Sequence, residues 1–107
     1  MQPKIAVVED EEALSVLLRY NLESEGYEVE TILRGDEAEI RLQERVPDLL
    51  ILDWMLPGVS GIELCRRLRE AAAPSLLVLV SAPLNAVDRV RAQLLGFDGI
   101  LAKPPKL

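Results

Sequence analysis

The run Leu49-Leu50-Ile51-Leu52-Asp53, followed at once by Trp54-Met55-Leu56-Pro57-Gly58, is a short apolar stretch closed by a carboxylate and then by a turn. Such a run reads as a strand covered on both faces. An acid at the end of a buried strand costs several kcal/mol of desolvation unless a cation or hydrogen-bond donors meet it. Near the N-terminus Lys4-Ile5-Ala6-Val7-Val8 repeats the pattern and runs into Glu9-Asp10-Glu11-Glu12. Side by side and parallel, the two strands bring Glu9, Asp10 and Asp53 to one sheet edge. Three such acids raise one another's pKa unless a hard divalent cation sits among them, and Mg²⁺ suits that oxygen set.

Outward from these two runs, apolar strand-like segments alternate with helical patterns along the whole chain, the signature of βαβ units around a parallel sheet. The sequence predicts strands at about 4–8, 27–31, 48–52, 76–80 and 99–102. All but the second are almost wholly apolar, as strands covered by helices on both faces should be. Residues 27–31 alternate instead, which marks an edge strand.

Four helical segments lie between the strands. In the first, Ala13, Leu14, Leu17, Leu18 and Leu22 recur at helical spacing, with Gly26 placed to end it. The second, about 36–45, offers Ala38 and Leu42 to the core. The third opens on Ser60-Gly61-Ile62-Glu63, a capping box, with Ile62, Leu64, Cys65 and Leu68 forming its stripe. The fourth starts at Asn85 with Val87, Val90 and Leu94 expected inward. Ala71-Ala72-Ala73-Pro74 reads as a surface connection. Right-handed crossovers leave few windings for five strands, and the doubly wound, flavodoxin-like order 2-1-3-4-5 is the one expected. In that order the first and third strands are neighbours at the topological switch point, where ligands bind.

Composition bounds the function. At 107 residues, half of them hydrophobic, residues 1–107 read as a single α/β domain with one core. A net charge of −6 is the wrong sign for general nucleic-acid binding. Arg66, Arg67 and Arg69 read as a solvated helix face. Cys65 is the sole cysteine, so no internal disulfide forms and a reducing, cytoplasmic setting fits. No window approaches the ~20 apolar residues of a membrane-spanning helix.

Two more residues fall at the acid-bearing edge. Ser81 follows Leu76-Leu77-Val78-Leu79-Val80, and Lys103 follows Ile100-Leu101-Ala102. A carboxylate nucleophile, acids for a cation, a hydroxyl and an ammonium together suit phosphoryl transfer to an acyl phosphate.

Val7-Val8-Glu9-Asp10-Glu11, Leu52-Asp53-Trp54-Met55-Leu56-Pro57-Gly58, Ser81-Ala82 and Lys103-Pro104 occur in that order. With them the chain resembles the receiver (CheY-like) domain of bacterial two-component response regulators of the OmpR/PhoB type. Its first 70 residues look most like phosphate-regulon regulators. The resemblance implies that Asp53 accepts a phosphoryl group from a sensor histidine kinase and that Glu9, Asp10, Asp53 and the Met55 backbone carbonyl hold Mg²⁺. It further implies that Ser81 is the switch hydroxyl, that Lys103 contacts the phosphoryl group, and that the Lys103-Pro104 peptide is cis. The output would be control of partner binding or transcription through the face of the fourth helix and fifth strand. The domain itself would bind neither nucleic acid nor membrane.

The chain also departs from that pattern. Ile100 stands where the family places an aromatic residue, the loop 82–87 lacks the usual acidic start of the fourth helix, and the acidic pair before the switch position is reduced to Asp98-Gly99. Residue 107 falls where a fifth helix would begin. These departures lead to the expectation of a homodimer, or of a covering partner segment, over the face left open. They also support an alternative, an assembly module of pseudo-receiver, engineered or chimeric origin that keeps the fold without phosphorylation-dependent output. A Mg²⁺ phosphohydrolase is disfavoured, because Met55 stands where such an enzyme carries its general acid.

Overall fold

The computed structural model describes residues 2–82 and 84–103. In chain order these form β1 (Lys4–Val8), α1 (Glu12–Ser24), β2 (Glu28–Ile32), α2 (Gly35–Glu44), β3 (Leu49–Asp53), α3 (Gly61–Glu70), β4 (Leu76–Ser81), α4 (Ala86–Leu95) and β5 (Gly99–Ala102). The strands make one parallel sheet in the order β2-β1-β3-β4-β5. The expected order is therefore the observed one. β1 lies against β3 with Val8 opposite Leu52, so the next residues along, Glu9 after β1 and Asp53 at the end of β3, emerge together.

The pleat divides the core in two. Ala6, Val8, Leu50, Leu52, Leu77 and Leu79 point to the side of α2, α3 and α4, where Ala38, Leu42, Leu64, Cys65, Ala92 and Phe97 meet them. Ile5, Val7, Ile51 and Val80 face the other way, onto Leu14 and Leu18 of α1. This two-residue alternation within unbroken apolar strands is what a sheet covered on both faces requires.

The helix termini follow the capping residues. Ser60 accepts a hydrogen bond from the Glu63 N–H, and Asn85 accepts one from the Asp88 N–H. The return arm of the expected capping box is not made: the Glu63 carboxylate pairs with Arg66 and Arg67 instead. Glu63 is held well below the usual carboxylate range, at about 2, by hydrogen bonds from those two guanidinium groups.

Several expectations are corrected. Val87, Val90 and Leu94 do not face the core; they are 75 %, 53 % and 83 % exposed. α4 instead buries Ala92, with Leu95 packed against the core. Ala13 and Leu17 of α1 are exposed, leaving Leu14 and Leu18 as its buried pair. β5, expected to be covered on both faces, has its last two residues exposed, while Ile100 packs against the core. Arg69 is no solvated charge. Its guanidinium bridges α3, the start of β4 and the end of α4.

The loop after β3 is locked by close backbone approaches. Gly61 sits where an added Cβ would lie 2.0 Å from the Asp53 carbonyl oxygen, and at Gly35 a Cβ would lie 1.6 Å from that of Val59. Alanine is the better helix former, so Gly61→Ala ought to stabilise α3 on propensity alone. The contact reverses that expectation: Gly61→Ala is expected to cost about 2 kcal/mol or more, read as a lowered urea midpoint at unchanged slope. An equal or higher midpoint would show that the loop yields to the methyl group.

Candidate functional site

The carboxyl ends of β1, β3, β4 and β5 deliver four side chains to one rim of the sheet. Glu9 and Asp53 are buried, 2 % and 5 % exposed, and Ser81 is buried beside them. Asp10 projects into solvent at the same rim. Asp10, Asp53, Trp54, Met55, Ser81, Leu84 and Lys103 line a depression of about 420 Å³. Trp54 is half-buried and also packs on the core.

Lys103 is the cation that the buried acids required. Its Nζ donates to Asp53 Oδ2 at 2.9 Å and lies 2.9 Å from Glu9 Oε1, with Glu11 at 3.9 Å. Burial alone would pull the lysine pKa down; the hydrogen bond to Asp53 and the neighbouring Glu9 carboxylate more than reverse this and raise it. Asp53 Oδ1 accepts the Met55 N–H at 3.3 Å, and Glu9 Oε2 accepts the Glu11 N–H at 2.9 Å. One ammonium thus serves two buried carboxylates. Glu9 Oε1 has no well-directed donor, since the close lysine contact is ionic rather than aligned.

That shortage shows in the proton affinity of Glu9. Burial pushes its carboxyl up to about 7; the Glu11 N–H and Lys103 oppose the rise, and neighbouring Asp53 adds to it. Oxygens of Glu9, Asp10 and Asp53 lie within 4.8 Å of one another. An under-satisfied buried oxygen within such a triad is a place where a hard cation fits. The Ser81 hydroxyl donates to the Ala82 carbonyl at 2.7 Å rather than to any of the acids.

Sequence reading missed the role of Glu11, whose N–H fixes the Glu9 carboxylate; in the sequence it is one acid in a run of four. Pro104 lies outside the described residues, so the Lys103-Pro104 peptide does too. A second depression, about 350 Å³, runs among Lys4, Arg19, Arg41 and Arg45 near the opposite strand ends. Three convergent acids are found at the first depression.

Residues 5–107 match the response regulator receiver domain family. The chain is 69 % identical over 106 residues to the phosphate regulon transcriptional regulatory protein PhoB of Rhizobium meliloti (strain 1021), covering 97 % of this chain and 47 % of that protein. It is 41 % identical over 104 residues to the alkaline phosphatase synthesis transcriptional regulatory protein PhoP of Bacillus subtilis (strain 168), covering 97 % of this chain and 43 % of that one. The chain therefore spans about half the length of these relatives. Among solved structures it is similar to the BeF3-activated N-terminal receiver domain of Klebsiella pneumoniae RstA, with a TM-score of 0.88 and 31 % identity over 96 % of this chain and 87 % of that one. The receiver domain of the Francisella response regulator 1452 superposes with a TM-score of 0.94 at 25 % identity, over 98 % of this chain and 87 % of that one.

Glu9 generates a prediction for the metal-free protein. Its folded-state pKa of about 7 lies above the ordinary 4.5, so the folded state holds a proton that the unfolded chain releases in between. This contribution to stability is whole below pH 4.5 and is lost as pH rises through 7, a change on the order of 3 kcal/mol. In EDTA, Glu9→Gln is expected to be more stable relative to the parent at pH 8 than at pH 4.5, by urea denaturation. A difference independent of pH would remove the assignment.

Proposed function

The chain belongs to the response regulator receiver domain family, and we propose that it works as the phosphoacceptor module of a two-component system, residues 1–107 acting as one domain. Asp53 is the proposed acceptor. The observation that carries this reading is the pairing of a buried strand-end carboxylate with Lys103 Nζ at 2.9 Å, beside the Glu9–Asp10–Asp53 oxygen cluster.

In the proposed step an Asp53 carboxylate oxygen attacks the phosphorus of a phosphohistidine on a sensor histidine kinase. The O–P bond forms as the P–N bond breaks, the electron pair leaves with the imidazole nitrogen, and the product is an aspartyl phosphate. Glu9, Asp10, Asp53 and the Met55 carbonyl would hold Mg²⁺, which supplies positive charge against the equatorial phosphoryl oxygens. Lys103, already on Asp53, is placed to follow the new phosphoryl oxygens. Ser81 would exchange its bond to the Ala82 carbonyl for one to the phosphoryl group. This is a signalling module; the protein would assist its own phosphorylation and dephosphorylation through the same side chains.

The relatives are named as transcriptional regulators, and we extend that output to this chain: phosphorylation in the cytoplasm shifts the α4–β5 face and thereby partner choice. No described helix is long and apolar enough to cross a membrane. Nucleic acid would be met by another part of a longer protein, since this domain is acidic. Exposure of Val87, Val90, Leu94 and Leu101 supports the further reading that a second copy or a covering segment packs on this face.

Acetyl phosphate with Mg²⁺ is expected to add about 80 Da, one phosphoryl group, to the intact protein and nothing to Asp53→Ala. An adduct that persists in Asp53→Ala, or its absence from the parent chain, would defeat the reading. Sedimentation of the same samples separates a switch from a passive scaffold: the phosphorylated form is expected to be the more associated, and equal association would favour a module that signals by contacts alone.

A further inference from the structure

α4 is fastened to the rest of the molecule very unequally at its two ends. At its C-terminal end the last carbonyls are capped by side chains of α3. Arg69 donates from Nε and Nη2 to the Gly96 carbonyl at 3.1 and 2.7 Å, and Cys65 Sγ–H donates to the Leu95 carbonyl at 3.3 Å. The same guanidinium reaches the Ala73 and Ser75 carbonyls and the Asp98 carboxylate, whose Oδ2 accepts the Leu77 N–H. Gly96, at φ +104°, packs so closely that an added Cβ would lie 2.9 Å from Arg69 Cγ. Phe97 and Ala92 are buried under this end. A planar guanidinium with all its donors engaged at a helix C-terminus is a rigid, charge-matched anchor.

The N-terminal end has no hydrogen-bonded counterpart; Leu84, just ahead of it, packs against the core without a directed bond. Asn85 caps its own helix through the Asp88 N–H, and among the described residues no side chain of another element hydrogen-bonds the first two turns. Val87 and Val90 stand in solvent. This loose end is the one joined, through residues 82–85, to Ser81 at the acid-bearing rim.

From this asymmetry we infer that α4 is a lever pinned at its C-terminal end by Arg69, so that displacement begun at Ser81 swings the N-terminal turns and leaves residues 92–98 in place. Arg69 is thus a positioning residue, acting on the response and not on phosphoryl uptake. The inference deepens the phosphoacceptor reading and rests on it only for the source of the displacement; the pin itself belongs to the resting fold.

The test has two arms on the full chain. In the first, amide hydrogen exchange is followed without any phosphoryl compound in the parent, Arg69→Met and the milder Arg69→Lys, which keeps charge but loses the fork. Protection of amides 92–97 is expected to fall roughly tenfold or more in Arg69→Met and less in Arg69→Lys, with amides 64–68 of α3 and those of β1 and β3 unchanged. Unchanged protection at 92–97 in both variants overturns the pin. So does an equal loss throughout the protein by Arg69→Lys, which would make Arg69 a general stabiliser.

The second arm adds Mg²⁺ and beryllofluoride and records amide chemical shifts. Shifts in the parent are expected around Asp53 and along 84–91 but not 92–98, spreading into 92–98 in the Arg69 variants. Uniform movement of α4 in the parent overturns the lever. Absence of any shift around Asp53 would count against the phosphoacceptor reading instead, and the first arm would still decide the pin.

Discussion

Two buried carboxylates share one ammonium, and the architecture is arranged around that imbalance. Glu9 and Asp53 lie side by side because β1 and β3 are parallel neighbours whose ends coincide in register. Lys103 reaches both from the end of β5, two strands away from β3 in the sheet. A single positive charge cannot compensate two desolvated acids, which leaves Glu9 with its proton affinity raised towards neutrality. The rim therefore carries a standing demand for more positive charge. A divalent cation would meet that demand, and a phosphoryl group on Asp53 would then rebalance it.

The other rim of the sheet is satisfied by contrast. Asp48 accepts the Lys4 N–H at 2.8 Å, Ser75 donates to the Pro47 carbonyl at 2.6 Å, and Asp98 takes the Leu77 N–H. Polar groups at those strand starts find partners within the chain, while the strand ends at the opposite rim keep an oxygen without a directed donor. Concentrating the electrostatic cost at one rim, with a saturated frame behind it, is how a small domain keeps a reactive site without losing its fold. The glycines at 35 and 61 serve the same end by drawing the loop after β3 against its neighbours.

The sheet order, the five strands and the convergence of Glu9, Asp10, Asp53, Ser81 and Lys103 were legible in the sequence because each rests on a local pattern. Apolar runs end in polar residues, and right-handed crossovers leave little choice of winding. What was illegible depends on tertiary contacts. Val87, Val90 and Leu94 have helical spacing, but spacing defines a stripe without saying which way it faces; Ala92 and Leu95, set against Cys65 and Phe97, determine that. Arg69 looked like its neighbours Arg66 and Arg67, which do pair on the surface. Its different fate comes from four acceptors, taking five hydrogen bonds, that converge only after α3, β4 and α4 have packed. Glu11 was hidden for a similar reason, since its contribution is a backbone N–H that any residue there could offer.

Two of these failures, the outward stripe of α4 and the role of Arg69, concern how α4 is seated, and for one physical reason. α4 buries one small residue fully, Ala92, and so gains little from the hydrophobic contact that fixes α1 and α3 through buried leucines. A helix held so weakly by packing takes its position from a few directed bonds, and those bonds lie at one end. Such an element has low local stability and moves at small cost. It is also joined to Ser81, at the rim where the electrostatic imbalance sits. Charge deficit at Glu9 and Asp53 and weak packing of α4 are thus complementary: in the proposed switch the first would supply a bias that a change at Asp53 releases, and the second would leave a nearby element light enough to respond.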